Sequence, residues 1–106
     1  MATMKDPLDF HGFQWDDGNS CKNLVKHDVP DGECEEIFFN APIIFTEDVK
    51  HSELEHRVAA FGVTNSGRKL TAVFTVRRQL VRIISARDMN RREREFYKDH
   101  EKNSKF

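Results

Sequence analysis

Two cysteines, three prolines and five glycines among 106 residues leave several classes of protein without their hallmarks. Cys21 and Cys34 fall in different predicted helices, so no structural disulfide is expected, and free thiols fit a reducing cytoplasm. No glycine-rich loop is present to cradle a nucleotide phosphate, and no cysteine pair has zinc-ligand spacing. His51 and His56 stand among Asp48, Glu53 and Glu55, but at no standard ligand spacing, so neither a metal nor another cofactor is expected. No run approaches the roughly 20 apolar residues of a membrane span. The first ten residues lack the apolar stretch of a secretory signal, and a cytoplasmic location without membrane contact is expected. Internal repeats, low-complexity tracts and linkers are missing too, which favours one domain over residues 11–106 behind a loose arm at 1–10.

What the chain does hold is charge, unevenly placed. Charged residues make up 33% of it and the formal net charge is only −1. Residues 1–76 carry seven Lys/Arg against thirteen Asp/Glu, whereas residues 77–106 carry ten against five. A basic C-terminal end on an acidic chain can steer a polyanion to one side or dock an acidic partner. A solvated helix face with i,i+4 ion pairs would look the same by charge alone.

The pattern of elements reads as strand, two helices, an antiparallel meander and a last helix. Residues 11–15 suit a short strand. Asp16 to Asn19 supply turn and cap chemistry for a helix over 19–28, and Pro30 opens a second over 30–39. Asn40-Ala41-Pro42 breaks it before a short strand at 43–45 and a polar loop at 46–55. Strands are predicted over 57–64, 70–77 and 80–87, with Asn65-Ser66-Gly67 as the first hairpin turn and Arg78-Gln79 as the second. The strand at 80–87 is apolar on both faces, as an inner strand should be. Asn90 with Glu93 three residues on reads as a capping box for the last helix. The expected architecture is α+β: a single, mainly antiparallel sheet with helices on one face, leaving the other for a ligand or partner.

Most informative is the stretch from Val81 to Tyr97. A strand core of Ile83 and Ile84, flanked by Arg82 and Arg87, runs into a helix start bearing Arg91, Arg92 and Arg94. A cation at a helix N-terminus costs about 0.3–1 kcal/mol. Three of them make poor sense for stability and good sense for holding a phosphate, which backbone N–H groups and guanidinium forks both suit.

Several pieces together resemble the BrnT family of bacterial type II toxins. They are Gln14-Trp15-Asp16, Asn23-Leu24 with Lys26-His27, Arg57, Gly62, Ser66-Gly67-Arg68, the run Arg82 to Arg87, Arg92-Glu93-Arg94 and Tyr97. The resemblance spans about residues 13–97. It implies a RelE-like fold, with two N-terminal helices on one sheet face and a C-terminal helix. It implies ribonuclease activity that arrests translation. It also implies a neutralising BrnA-like antitoxin with a ribbon-helix-helix part, through which the pair would bind operator DNA and repress its own operon. The chain departs from the family pattern at the Arg78-Gln79 turn, at Asn90 where Thr is common, and in a longer N-terminal arm.

RNA can be cut without metal or protein nucleophile, by attack of the ribose 2′-OH on the adjacent phosphorus. The protein must then position the strand, neutralise the phosphorane and move two protons. Candidate catalytic residues are Lys26, His27, Arg57, Arg82, Arg87 and Tyr97, with Arg68, Arg91, Arg92 and Arg94 as RNA-binding residues. Each has a structural alternative. His27 can cap its helix, Lys26 can be solvated, Arg87 can pair with Asp88 or Glu93, Tyr97 can pack beside Phe96, and Arg68 can be an exposed turn residue. Arg82 and Arg87, five apart, fall on opposite faces of an ideal strand unless Arg87 lies in the turn. A non-catalytic module that binds RNA or a partner through the same basic surface is the alternative function.

Overall fold

The computed structural model describes residues 11–47 and 56–103. The predicted arm at 1–10 and His51, with most of the predicted 46–55 loop, lie outside them. In chain order the elements are β1 (Gly12–Phe13), α1 (Lys22–His27), α2 (Asp31–Glu36), β2 (Ile44–Glu47), β3 (Val58–Val63), β4 (Lys69–Arg77), β5 (Leu80–Asp88) and α3 (Arg91–Asn103). The strands form one five-stranded sheet in the order β1-β5-β4-β3-β2. Only β1 runs parallel to its neighbour, with Gly12 opposite Leu80 and Phe13 opposite Val81, so the fold is α+β on a mainly antiparallel sheet.

Side chains alternate across the sheet. On one face Val58, Ala60, Leu70, Ala72, Phe74, Val81, Ile83 and Ala86 pack with Val29, Cys34 and Ile37 from the α1–α2 segment. Gly62 lets α2 come this close, because a Cβ there would lie 2.8 Å from Ile37 Cβ and 3.2 Å from its carbonyl oxygen. On the other face Ile44 and Phe61 pack with Met89, Phe96 and Tyr97, so α3 covers one end of the surface the sequence left open.

Some local expectations shift. The 19–28 helix begins only at Lys22. Asn19, expected to cap it, is buried instead, and its Nδ2 donates to the carbonyls of Gln14 and Ile83 at 3.0 Å each. Its Oδ1, the atom a cap would use, accepts the Asp16 N–H at 2.9 Å instead. α2 ends at Glu36, and β2 continues through Glu47 because Thr46, β-branched and buried, pairs with Ala59. Cys21 is exposed and Cys34 buried, both as free thiols, and burial pushes the Cys34 thiol up to about 12.

The β4–β5 hairpin turns on two residues, Arg78 at φ 52° and Gln79 at φ 65°. Two consecutive positive φ values define the turn that Asn-Gly fits best. Neither residue present is suited to it. Arg78→Asn with Gln79→Gly is therefore expected to stabilise the protein by about 1 kcal/mol, read as a higher urea midpoint at unchanged m-value. An unchanged or lower midpoint would show that the turn carries no strain.

Candidate active site

The register of β5 decides which arginines can meet. Thr75 pairs with Arg82, Phe74 with Ile83, Val73 with Ser85 and Thr71 with Arg87, so Ile84 is an extra residue bulged out of the ladder. Opposed residues of an antiparallel pair share a face. The bulge therefore puts Arg82, Ser85 and Arg87 on the same face as Thr71 and Val73, where an ideal strand would have separated the two arginines.

That face carries an open groove of about 550 Å³. Ala59, Phe61, Val73 and Ile84 form its apolar floor. Thr46 and Glu47 from β2, Arg57 ahead of β3, Thr71 from β4, Ser85 and Arg87 from β5 and Glu93 from α3 supply the polar lining. Four strands and a helix start thus converge on one surface.

Glu93 organises its upper end. Its N–H donates to Asn90 Oδ1 and the Asn90 N–H donates back to Glu93 Oε1, both at 2.9 Å, which is the expected capping box with Asn as its first residue. The same carboxylate accepts Thr71 Oγ1 at 3.0 Å and the Arg87 fork, Nη1 at 2.6 Å and Nη2 at 3.0 Å. Arg87 Nη1 also donates to the Asp88 carbonyl at 3.2 Å, and its side chain remains 41% exposed. Burial pushes the Glu93 carboxyl up, but the Arg87 fork, the Asn90 N–H and Thr71 outweigh it and hold it below its ordinary value. A group whose folded value is depressed stabilises the fold above the ordinary carboxylate range and stops doing so as pH falls through the folded value. Glu93→Gln is thus expected to flatten part of the loss of stability between about pH 5 and 3, measured as urea midpoints. Midpoints that fall as steeply as in the parent would contradict this.

The other predicted site residues are scattered. Arg82 shares the groove's face but does not line the groove. Its side chain is 14% exposed and its fork grips Asp16, Nη1 to Oδ2 at 2.8 Å and Nη2 to Oδ1 at 3.0 Å. Arg82 and the Gly18 N–H together hold the Asp16 carboxyl low.

Arg68 is neither an exposed turn residue nor available to RNA. Its Nε and Nη2 grip Asp88 at 2.7 and 3.0 Å, Nη1 reaches the Asp28 carbonyl and Glu33 at 2.6 and 2.8 Å, and Nη2 also meets the His27 carbonyl at 3.3 Å. A guanidinium has five N–H donors, and these contacts engage them all. Arg68 ties the β3–β4 hairpin to the end of α1, to α2 and to β5.

Tyr97 is fully buried and its hydroxyl donates to the Pro42 carbonyl at 2.6 Å. Burial pushes that hydroxyl up to about 12, and the ring packs beside Phe96 in the core rather than lining the groove.

Lys26 and His27 end α1 and are exposed. α1 packs along β5: its Asn23 Oδ1 accepts the Ala86 N–H, and Arg68 bridges the His27 carbonyl to Asp88. Lys26 lines a separate cavity with Ser20, Cys21, Lys22 and Val25. Neither Lys26 nor His27 lines the groove that Arg57 and Arg87 share. At the start of α3, Arg94 Nη1 donates to the Met89 carbonyl at 2.6 Å, Arg91 lies 3.6 Å from Glu95, and Arg92 is exposed.

Sequence reasoning missed Glu93 as a groove residue, along with Thr71, Ser85 and Glu47. The signal for Glu93 was its capping spacing, which explained it too early. Thr71 was legible as the polar position between Leu70 and Ala72, where a strand turns away from its core. Glu47 extends the lining to His56, whose Nδ1 lies 3.4 Å from its carboxylate.

The fold is a small, mainly antiparallel α+β sheet whose open groove, beside a helix start, is lined by two arginines and two glutamates. The chain belongs to the BrnT family, described as the ribonuclease toxin, BrnT, of type II toxin–antitoxin systems, whose model matches residues 15–93. The match takes in every groove residue and ends before Tyr97. Membership makes the chain a ribonuclease toxin by family and implies an antitoxin partner. No curated protein matches it. Among the described residues no helix is long and apolar enough to cross a membrane.

Proposed function

We propose that the groove is where this toxin cuts RNA, without a metal, and so inhibits translation. The observation that carries the reading is the bulge at Ile84, which sets Arg87 beside Thr71 and Ser85 on an open face that Arg57 also lines. In the reaction the 2′ oxygen bonds to phosphorus and the P–O5′ bond breaks. The 2′-OH gives up its proton and the 5′ oxygen gains one, leaving a 2′,3′-cyclic phosphate and a 5′-OH. Arg87 and Arg57 hold the phosphoryl oxygens as charge builds on the phosphorane. Thr71 and Ser85 supply hydroxyls for ribose and phosphate. Proton transfer falls to Glu47 at the groove and its neighbour His56, whose Nδ1 lies 3.4 Å from the Glu47 carboxylate. Arg91, Arg92 and Arg94 at the start of α3 guide the incoming strand.

The remainder follows the resemblance. The fold is RelE-like, residues 11–106 act as one domain in the cytoplasm, and a BrnA-like ribbon-helix-helix antitoxin neutralises the toxin. The antitoxin covers the groove and α3 with apolar anchors and a carboxylate in place of the phosphate. It carries the operator contacts through which the pair co-represses its operon. Expression of the chain alone is expected to stall growth, and co-expression of its antitoxin is expected to restore it. Normal growth with abundant, folded protein would overturn the toxin reading and favour a non-catalytic module.

A further inference from the structure

Glu93 carries more than a helix start. Capping needs its backbone N–H and one bond from its carboxylate to Asn90, yet the carboxylate also takes Thr71 and both terminal nitrogens of Arg87 while only 8% exposed. A guanidinium offers two flat pairs of donors, the end-on Nη1/Nη2 pair and the side-on Nε/Nη2 pair. Glu93 occupies the end-on pair, and the Asp88 carbonyl takes the second Nη1 hydrogen. Among the described residues no acceptor meets Nε or the second Nη2 hydrogen, and Arg87 lines the groove.

We propose that Glu93 is a positioning residue for cleavage: anchored by Thr71 and by the backbone of α3, it holds the end-on edge of Arg87 so that the Nε/Nη2 edge is left to grip two oxygens of the phosphodiester. The proposal rests on the nuclease reading above. It explains an anion in a groove meant for an anion. A carboxylate this close repels bound RNA, so it weakens ground-state binding. In exchange it fixes the fork before the phosphorane forms, which is where a preorganised donor acts.

The opposite signs of the two effects give the test. The full chain, Glu93→Gln and Asn90→Ala are compared in RNA cleavage, and Arg87 Nε–H is followed by NMR during titration with uridine 3′-monophosphate. Glu93→Gln is expected to lower kcat at least tenfold while KM stays equal or falls, and to release the Arg87 Nε–H from a single environment. Asn90→Ala, which breaks the cap and leaves the Arg87 contact, is expected to lose stability but keep kcat per folded molecule. Equal kcat in Glu93→Gln, or an equal loss in Asn90→Ala, would overturn the positioning role while the parent still cuts. If the parent cuts nothing, yet the nucleotide shifts Arg87 Nε–H only when Glu93 is present, the positioning stands and the nuclease reading falls.

Discussion

Arg87→Ala is expected to lower RNA cutting by about 10²–10³-fold, the range for removing one preorganised donor to a developing oxyanion. The size follows from what the guanidinium can do here. Its side chain is half-exposed at the groove, its end-on pair is fixed by Glu93, and its backbone is paired with Thr71 of β4. Truncation also leaves Glu93, a buried carboxylate, without its cation, which destabilises the fold as well. Arg87→Lys separates the two effects. It keeps a charge for Glu93 and loses the planar fork, so cutting is still expected to drop at least tenfold in a folded protein. Arg82→Ala, by contrast, removes a fork already bound to Asp16 and outside the groove, and is expected to cut within a fewfold of the parent. Single-turnover rates on one RNA, with folding checked by circular dichroism, decide this. An Arg87 variant that cuts normally would leave the groove without a catalytic cation.

The second large effect is on stability. Tyr97→Ala is expected to cost about 3–5 kcal/mol, because it removes a fully buried ring from the cluster of Ile44, Phe61 and Met89 that holds α3 to the sheet. Tyr97→Phe removes only the hydroxyl bonded to the Pro42 carbonyl and is expected to cost about 1 kcal/mol, roughly 4–8 °C in Tm. It should cut RNA at the parent rate, since the hydroxyl is buried away from the groove. Loss of cutting in a Tyr97→Phe variant with near-parent Tm would restore Tyr97 to the chemistry.

The order of elements was legible because its signals are local. Alternating apolar residues marked β4, Asn65-Ser66-Gly67 marked the β3–β4 hairpin, and the spacing of Asn90 and Glu93 marked the start of α3. What was not legible depends on partners far along the chain. The parallel pairing of β1 with β5 has no turn to announce it. Asn19 looked like a cap until Ile83 and Gln14 claimed its amide. The bulge at Ile84 comes from the register against β4, and no residue within 80–88 signals it. Without the bulge, Arg82 and Arg87 fall on opposite faces and the candidate site scatters. The same limit explains Arg68 and Tyr97. A basic turn residue and a late tyrosine look functional until carboxylates from β5 and α2, or a carbonyl from Pro42, are found to hold them. Lys26 and His27 were adjacent in sequence and rightly placed at a helix end, but neither lines the groove.

The central claim is that this groove cleaves RNA through the neighbouring 2′-OH. The most direct measurement is digestion of one RNA by the purified chain in EDTA, beside the same RNA with a 2′-deoxy substitution at the cut site, with the product ends identified. Cutting in EDTA is expected, with products ending in 2′,3′-cyclic or 3′-phosphate and a 5′-OH, and with the deoxy-substituted strand left intact. Cutting that requires Mg²⁺, leaves 3′-OH ends or proceeds at the deoxy position would contradict it.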